Sequence, residues 1–343
     1  MTNIGIIQLL NYTKHSCCIF IVHSFILLVL SNVCSAQTWQ KVESVNLPFK
    51  RHECAAAIAG DALYLFGGRG DRPVNRYVFK TNTWDSVAKM PLQLNHFQAV
   101  TYKDIIYIAG EFSGPYPHEK PVAEVYAFNP KTNTWSVETL IPENRRRGAA
   151  ACVVYKNKLY LICGIIDGHY DGHVTWVDEY DFTTKTWKQL PDAPHARDHF
   201  QSVIVKDKLY NAGGRRSSAK TNETFQLTVP EVDVYDFTSG SWSILDTANN
   251  IPTQRAGCTS VAFGKNAFMV IGGESGAQKE AHAEVEVFDI EKQVWITNMK
   301  LQQGRHGTQA VVYKGKIFIT AGSANKGGGP ELNETEVLKI NHD

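Results

Sequence analysis

Short apolar segments alternate with turn sequences along most of the chain. A segment such as "CAAAIA" or "FQAVTY" is followed by a tight turn, and then by an apolar segment that ends in glycine, such as "LYLFGG" or "IYIAG". A third segment follows ("NRYVF", "AEVYAF"), and after another turn comes a fourth that contains a tryptophan. Apolar segments of this length between turn residues are typical of β-strands. The pattern predicts units of four antiparallel strands.

This unit repeats. The tryptophans that mark the fourth segments are separated by 45, 51, 52, 55 and 53 residues, and they are Trp39, Trp84, Trp135, Trp187, Trp242 and Trp295. The glycine pair, the Tyr-Asp-like third strand and the tryptophan resemble the kelch repeat, which implies an all-β, six-bladed β-propeller. The sixth unit lacks its own tryptophan strand. We expect "QTWQKV" at 37–42 to supply it, so that the N-terminal strand closes the ring.

The first 36 residues differ from the rest of the chain. Lys14 is their one formal charge, an apolar run follows at 19–30, and the small residue Ala36 precedes the expected cut. This order is typical of a secretory signal peptide, and the run is shorter than the ~20 residues that a membrane span needs. We therefore expect a signal peptide at 1–36, a mature propeller at 37–343, and a secreted or periplasmic protein without a membrane span. A retained N-terminal anchor is the alternative.

The amino-acid composition restricts the classes of partner that we expect this protein to bind. The 35 Lys and Arg residues nearly balance the 34 Asp and Glu residues, which argues against a nucleic-acid-binding surface. One propeller accounts for the whole mature chain, and we expect a monomer. The four cysteines after residue 36 have no metal-binding spacing and lie in apolar strands, which predicts buried free thiols. They are Cys54, Cys152, Cys163 and Cys258.

Aligning the repeats places chemically similar residues at one mouth of the central channel. An arginine recurs before the first strand of five units, at Arg51, Arg147, Arg197, Arg255 and Arg305. Close to this position lie Glu53, His96, Asp198, His199 and His306. The ends of the second strands reach the same mouth and add Arg69, Glu111, Arg215 and Glu274. The long loop "DGHYDGHVTW" of the third unit adds His169, Asp171, His173 and Trp176.

These side chains predict a binding site. Guanidinium groups match carboxylates and phosphates, and histidines exchange protons near neutral pH. We predict that the mouth binds a carbohydrate, an acidic small molecule or a protein partner without a cofactor, and we favour binding over catalysis. Pairing with nearby acids or backbone carbonyls is the alternative for the arginines. His169 and His173 are four residues apart in a loop, where spacing defines no geometry, so no metal site is predicted.

The resemblance to kelch propellers implies partner binding at this mouth. Secreted six-bladed kelch epimerases of sugar acids share the architecture, so a sialic-acid-like sugar epimerase or mutarotase is the second hypothesis. Its candidate bases are Glu53, Glu111 and Glu274. Galactose oxidase, a related propeller, needs copper held by two tyrosines and two histidines, one tyrosine being cross-linked to a cysteine. Because the cysteines of 37–343 lie in core strands, a metal-dependent oxidase is the least favoured hypothesis.

Overall fold

The computed structural model describes residues 38–216 and 218–340, and the signal peptide predicted for residues 1–36 lies outside them. Within the described residues, six four-stranded antiparallel sheets follow one another along the chain. Two smaller two-stranded hairpins project from blades 2 and 3. No helix among these residues is long and apolar enough to cross a membrane. The all-β, six-bladed propeller predicted from the repeats is confirmed.

The first three blades are built in the same way. Strand β1 (Gln40–Lys41) precedes blade 1, which comprises β2 (Cys54–Ala59), β3 (Ala62–Gly67), β4 (Pro73–Val78) and β5 (Thr83–Lys89). Blade 2 begins with β6 (Gln98–Tyr102) and β7 (Ile105–Ala109), continues through a hairpin of β8 (Phe112–Ser113) and β9 (Lys120–Pro121), and ends with β10 (Glu124–Asn129) and β11 (Thr134–Leu140). Blade 3 begins with β12 (Ala151–Tyr155) and β13 (Lys158–Ile162), continues through a hairpin of β14 (Ile165–Asp167) and β15 (Asp171–His173), and ends with β16 (Val177–Asp181) and β17 (Thr186–Leu190).

The last three blades complete the ring. Blade 4 comprises β18 (Ser202–Val205), β19 (Lys208–Asn211), β20 (Asp233–Asp236) and β21 (Ser241–Ile244). Blade 5 comprises β22 (Thr259–Phe263), β23 (Ala267–Ile271), β24 (Glu284–Asp289) and β25 (Val294–Lys300). Blade 6 contributes β26 (Ala310–Tyr313), β27 (Lys316–Thr320) and β28 (Thr335–Lys339), and β1 pairs with β28 as its fourth strand. Short 3-10 turns lie at Glu143–Arg145, Ala219–Thr221 and Thr247–Asn249.

The apolar core lies between adjacent blades. Each of six large clusters of buried side chains draws its members from two neighbouring blades, as Phe66 of blade 1 packs against Phe128 of blade 2 with ring centroids 5.5 Å apart. The repeated tryptophans join the blades at their outer edge. Trp135 and Trp187 each donate an indole hydrogen bond of 2.9 Å to a carbonyl of the preceding blade, at Lys89 and Leu140. Every blade therefore depends on its neighbours for burial.

The four cysteines of the described chain are buried and free, as predicted. Burial raises the pKa of each thiol, to about 11 for Cys54 and to about 12 for Cys163. Because the thiolate is the reactive and metal-binding form, these side chains behave as small apolar core residues. They leave the chemistry of the channel to other groups.

Candidate ligand site at one mouth of the central channel

Six residues with a left-handed backbone conformation form a ring that surrounds the channel, one just before the first strand of each blade. Its members have φ between 49° and 64°, and they are Glu53, His96, Ala149, His199, Gly257 and Gly307. The N–H of each of five members bonds to the carbonyl of the member in the preceding blade, as from His96 to Glu53 at 3.1 Å. The N–H of Cys54 closes the circle on Gly307. All six members line a void of about 30 Å³ on the channel axis, which is room for about one water molecule.

Three positions of this ring carry polar side chains in a strained backbone. A residue other than glycine costs roughly 1–2 kcal/mol in the left-handed region, and blades 5 and 6 avoid that cost with glycine. Blades 1, 2 and 4 place Glu53, His96 and His199 there instead. Strained positions of this kind cluster at functional sites. The strained backbone therefore marks these three residues as candidate functional residues.

On one side of the channel, histidines pair with Glu53. His96 Nε2 lies 3.1 Å from Glu53 Oε2, and His96 Nδ1 lies 2.6 Å from the side-chain oxygen of Asn95. His306 Nδ1 lies 3.7 Å from Glu53 Oε1, and its Nε2 donates to the carbonyl of Gly327 at 2.8 Å. Burial holds the pKa of His96 well below its usual value, which favours the neutral ring.

The blade 3 hairpin brings a further histidine to this point. His169 follows β14, and its Nδ1 lies 3.0 Å from Glu119 Oε2 in the blade 2 loop. Glu119 is fully buried and also accepts a 2.6 Å hydrogen bond from Arg69. On its other side, His169 Nε2 lies 2.9 Å from His199 Nε2. Burial lowers the pKa of His169, so its imidazole is neutral near pH 7.

Blades 4 and 5 complete the network. Asp198 Oδ2 lies 3.1 Å from His199 Nδ1 and 3.6 Å from His173 Nε2. Arg215 bridges the two blades, since its Nη1 donates to Glu274 at 2.8 Å and its Nε lies 3.8 Å from Asp198. Burial alone would raise the pKa of Glu274, but His306 and Arg215 outweigh it and hold the carboxyl ionised.

A cavity of about 400 Å³ opens above these groups. Charged and imidazole side chains form part of its wall, namely His52, Glu53, Arg69, His169, Arg215 and Glu274. The rest comes from Tyr116, Thr224, Phe225 and the glycines Gly327 and Gly328. Arg215 also lies over the ring of Phe225, 5.6 Å from its centroid. A cavity of this size, with aromatic faces and a few convergent charges, fits a small polar ligand.

Comparison with known proteins assigns the family. The family model described as the Attractin/LZTR1 β-propeller matches residues 24–282. The Kelch-like protein terF of Aspergillus terreus is 30% identical over 323 residues, which cover 86% of this chain and 69% of that protein. The chain belongs to the kelch-repeat β-propeller family. Kelch propellers typically bind partners, and the kelch-like relatives are mostly non-enzymatic.

Other relatives agree on the fold. α-Scruin of Limulus polyphemus is 27% identical over 270 residues, which cover 74% of this chain and 27% of that protein. The Kelch-like protein 36 of Bos taurus is 24% identical over 291 residues, and this chain covers 44% of its length. The structure of YjhT superimposes with a TM-score of 0.71 at 16% sequence identity, covering 85% of this chain and 95% of that one. At that identity the likeness shows the fold alone.

The recurrent arginines of the kelch blades hold each blade together and do not line the cavity. All five are at most 1% exposed, and they are Arg51, Arg147, Arg197, Arg255 and Arg305. Each binds carbonyls at the end of its own second strand and a side-chain oxygen of its own third strand. Arg147, for example, donates to Leu161 O at 2.8 Å and to Asp178 at 2.5 Å. Including these five among the ligand-binding residues was therefore wrong, because their guanidinium groups are enclosed within single blades.

We call this arrangement the blade clamp, and blade 2 replaces both of its members. The third-strand partners of the five arginines are Asn75, Asp178, Asp233, Glu286 and Glu336. In blade 2, Leu94 stands at the arginine position and Tyr126 at the partner position, and both belong to one apolar cluster. The paired replacement supports a structural role, since removal of one member of a buried ion pair leaves the charge of the other unpaired.

The alignment of glycines predicts Glu111 at the mouth. In the structure Glu111 lies at the position of the second glycine, one residue before the mouth residue. The carbonyl of Glu111 accepts a hydrogen bond from the N–H of Val122. In blade 3 the equivalent bond runs from the N–H of Val174 to the carbonyl of Gly164, so Glu111 aligns with Gly164. Phe112, bridged to Asn95, therefore takes the mouth position of Arg215, which is bridged to Asp198. Blade 2 has "GEF" where blades 1, 4 and 5 have "GG" and the mouth residue.

The other five blades have glycine at the Glu111 position, and the surroundings of that glycine explain why a glutamate fits only in blade 2. A Cβ on Gly164 would lie 2.8 Å from Arg147 Cγ, and one on Gly273 would lie 2.9 Å from Arg255 Cγ. With Leu94 in place of the arginine, Glu111 finds room inside the blade. Its side chain is fully buried, so Glu111 is withdrawn as a candidate base at the mouth.

The remaining predicted residues lie around the site at different depths. His173 is near Asp198, whereas the exposed Asp171 pairs with Lys220 at 2.5 Å. Trp176 packs against Arg145, whose guanidinium carbon is 4.4 Å from the ring centroid. Trp176 therefore supports blade 3 and is withdrawn from the binding set.

Several residues of the site were missed from the sequence. Glu119 lies in the long blade 2 loop, and Phe225 lies in the blade 4 loop. Loop length was the one available signal, because nothing in the local sequence of Glu119 indicates that it meets His169 across two blades. The repeat predicted the residues at strand ends, whereas the positions of the loop residues are known only from the tertiary structure.

Proposed function

We propose that this protein is a binding propeller whose cavity takes a small hydroxylated acid, such as a sugar acid. The observation that carries the proposal is the cavity of about 400 Å³ with Arg69 and Arg215 on its wall. Arg147 directs all three guanidinium nitrogens to its own blade, whereas Arg69 and Arg215 each reach a carboxylate through one nitrogen and face the cavity. Guanidinium groups of this kind suit a ligand carboxylate.

The rest of the wall supports the same class of ligand. Carboxylate oxygens of Glu53 and Glu274 accept hydrogen bonds from hydroxyl groups. Tyr116 and Phe225 offer apolar ring faces to the C–H groups of a sugar. A ligand that combines a carboxylate, hydroxyl groups and an apolar face matches all three features.

A thermal-shift panel tests the proposal. Glucuronate, galacturonate and N-acetylneuraminate are compared with glucose and galactose. We expect at least one acid to stabilise the protein, while its neutral counterpart does not. Arg215→Gln and Arg69→Gln weaken binding of that acid about 10- to 100-fold, because each removes a charge-assisted hydrogen bond worth about 1.5–3 kcal/mol.

The exposed neighbour Arg216 provides the control, since Arg216→Gln removes the same charge outside the cavity. Arg69 is 28% exposed, so Arg69→Gln remains informative even if the buried Arg215 variant folds poorly. Equal binding of acids and neutral sugars, or binding that Arg69→Gln leaves unchanged, would contradict the assignment.

A second candidate is a sugar-acid epimerase or mutarotase. It is favoured by one observation, namely that a carboxylate (Glu53) and a neutral imidazole (His169) share the cavity wall and suit proton transfer. In deuterated water, an epimerase exchanges the C–H hydrogen of the inverted carbon, and a mutarotase accelerates anomer interconversion without exchange. We expect Glu53→Gln to abolish either activity and Arg216→Gln to retain it. If a sugar acid binds but undergoes neither reaction, the protein is a binding protein and the enzyme hypothesis is wrong.

A further inference from the structure

Three histidines from three blades converge next to the void on the channel axis. His96 precedes β6, His199 precedes β18, and His169 comes from the blade 3 hairpin. One ring nitrogen of each lies within 4.8 Å of those of the other two. Their ring centroids are 4.6–4.7 Å apart. All three side chains are buried.

The outer nitrogen of each ring faces an oxygen acceptor. Nδ1 of His96 lies 2.6 Å from the Asn95 side chain, Nδ1 of His169 lies 3.0 Å from Glu119, and Nδ1 of His199 lies 3.1 Å from Asp198. At His96 and His169, where the contact is a hydrogen bond, an oxygen acceptor at Nδ1 favours the tautomer that leaves Nε2 as a lone pair. The same outer partners orient histidines in known metal sites.

The inner nitrogens converge on one another. Nε2 of His169 and Nε2 of His199 lie 2.9 Å apart, so either one ring donates its proton to the other or both nitrogens bind one cation. Nε2 of His96 is buried without a hydrogen-bond partner in the described chain. Its nearest charged neighbour is the Glu53 carboxylate at 3.1 Å, which also attracts a cation.

The charge of the surrounding network points the same way. Four buried carboxylates belong to the network that includes the histidines, namely Glu53, Glu119, Asp198 and Glu274. Arg69 and Arg215 contact three of them, and His306 faces Glu53 and Glu274, so the formal sum is −4 + 2 = −2, or −1 with His306 protonated. Buried charge of one sign is costly unless it is neutralised. A bound cation offsets this negative charge.

We propose that His96, His169 and His199 bind one divalent first-row transition-metal ion, such as Zn²⁺ or Co²⁺, at the base of the cavity. Imidazole nitrogens suit these ions, and three protein ligands leave a coordination position for water or a ligand. His169 and Glu53 both line the cavity, so that position is accessible from it. The proposal does not depend on the identity of the cavity ligand.

Metal titration tests it. Tag-free protein is stripped with EDTA and titrated with Co²⁺, followed by visible absorption, and with Zn²⁺, followed by calorimetry. We expect one ion per chain, and X-ray absorption of the zinc form should show three imidazole ligands. His169→Gln and His199→Gln abolish stoichiometric binding. Glu119→Gln, which alters the outer partner of His169 and the partner of Arg69 but removes no proposed ligand, weakens it about 10- to 100-fold.

His118→Gln is the control, since this histidine is 51% exposed in the same loop as Glu119 and should leave the affinity unchanged. Circular dichroism establishes that each variant is folded, and if a ligand variant fails to fold, Glu119→Gln and the X-ray absorption spectrum decide. Folded wild-type protein that binds no stoichiometric Co²⁺ or Zn²⁺, or ligand variants that bind as the wild type does, would overturn the proposal. A sugar-acid thermal shift that persists in EDTA would meanwhile leave the proposed function standing.

Discussion

Arg255→Leu is expected to lower the free energy of unfolding by about 3–5 kcal/mol. The side chain is fully buried and belongs to the blade 5 clamp, where it donates to Glu286 at 2.6 Å and to the carbonyl of Val270 at 3.0 Å. Its removal leaves the Glu286 carboxylate buried without its cation. Urea unfolding at pH 7 measures the loss.

The natural arrangement of blade 2 supplies the matched control. Arg255→Leu combined with Glu286→Tyr reproduces Leu94 and Tyr126, and it should recover most of the stability because no unpaired charge remains. Arg216→Leu, at an exposed site, should change the free energy by less than about 0.5 kcal/mol. A loss for Arg255→Leu as small as that for Arg216→Leu would refute the clamp.

Glu111→Gln is expected to remove a pH dependence of stability on the order of 5 kcal/mol. Burial raises the pKa of this carboxyl from its usual 4.5 to about 8, and neither carboxyl oxygen has a hydrogen-bond partner among the described residues. Below pH 4.5 both the folded and the unfolded chain hold the proton. Between pH 4.5 and about 8 only the folded chain holds it, so the stability of the wild type falls as pH rises.

The measurement is the difference in unfolding free energy between the wild type and Glu111→Gln from pH 4.5 to 9. The wild type should lose stability relative to the variant up to about pH 8 and then level off, because both states are ionised above that pH. Glu43→Gln, at an exposed position, controls for the loss of a carboxyl group. A flat difference curve would mean that the Glu111 carboxyl is solvated in the folded protein.

The predictions from the sequence succeeded where they followed the repeat. The period of the tryptophans gave the number of blades, and the missing strand of the sixth unit identified "QTWQKV" as the closing segment, which the pairing of Gln40 with Val337 confirms. Arg69, Arg215 and Glu274 line one cavity, as the repeat predicts for strand ends that meet at one end of the channel.

They failed where a residue's role depended on its partner. Arg197 and Arg215 look alike in the sequence, but one is enclosed with Asp233 inside a blade and the other lines the cavity. Glu111 differs from the true mouth residue by one position, and the size of Leu94 in the segment before β6 decides whether it fits inside the blade. Periodicity carries no information on such contacts.

The amino-acid sequence alone determined the architecture of this protein, because each strand, turn and interblade tryptophan is a local property repeated along the chain. The tertiary structure decided the chemistry. His96, His169 and His199 are separated by 73 and 30 residues, and only closure of the ring brings their nitrogens within 4.8 Å. A propeller concentrates the ends of its blades at one axis, so its site is assembled from residues that no local pattern connects.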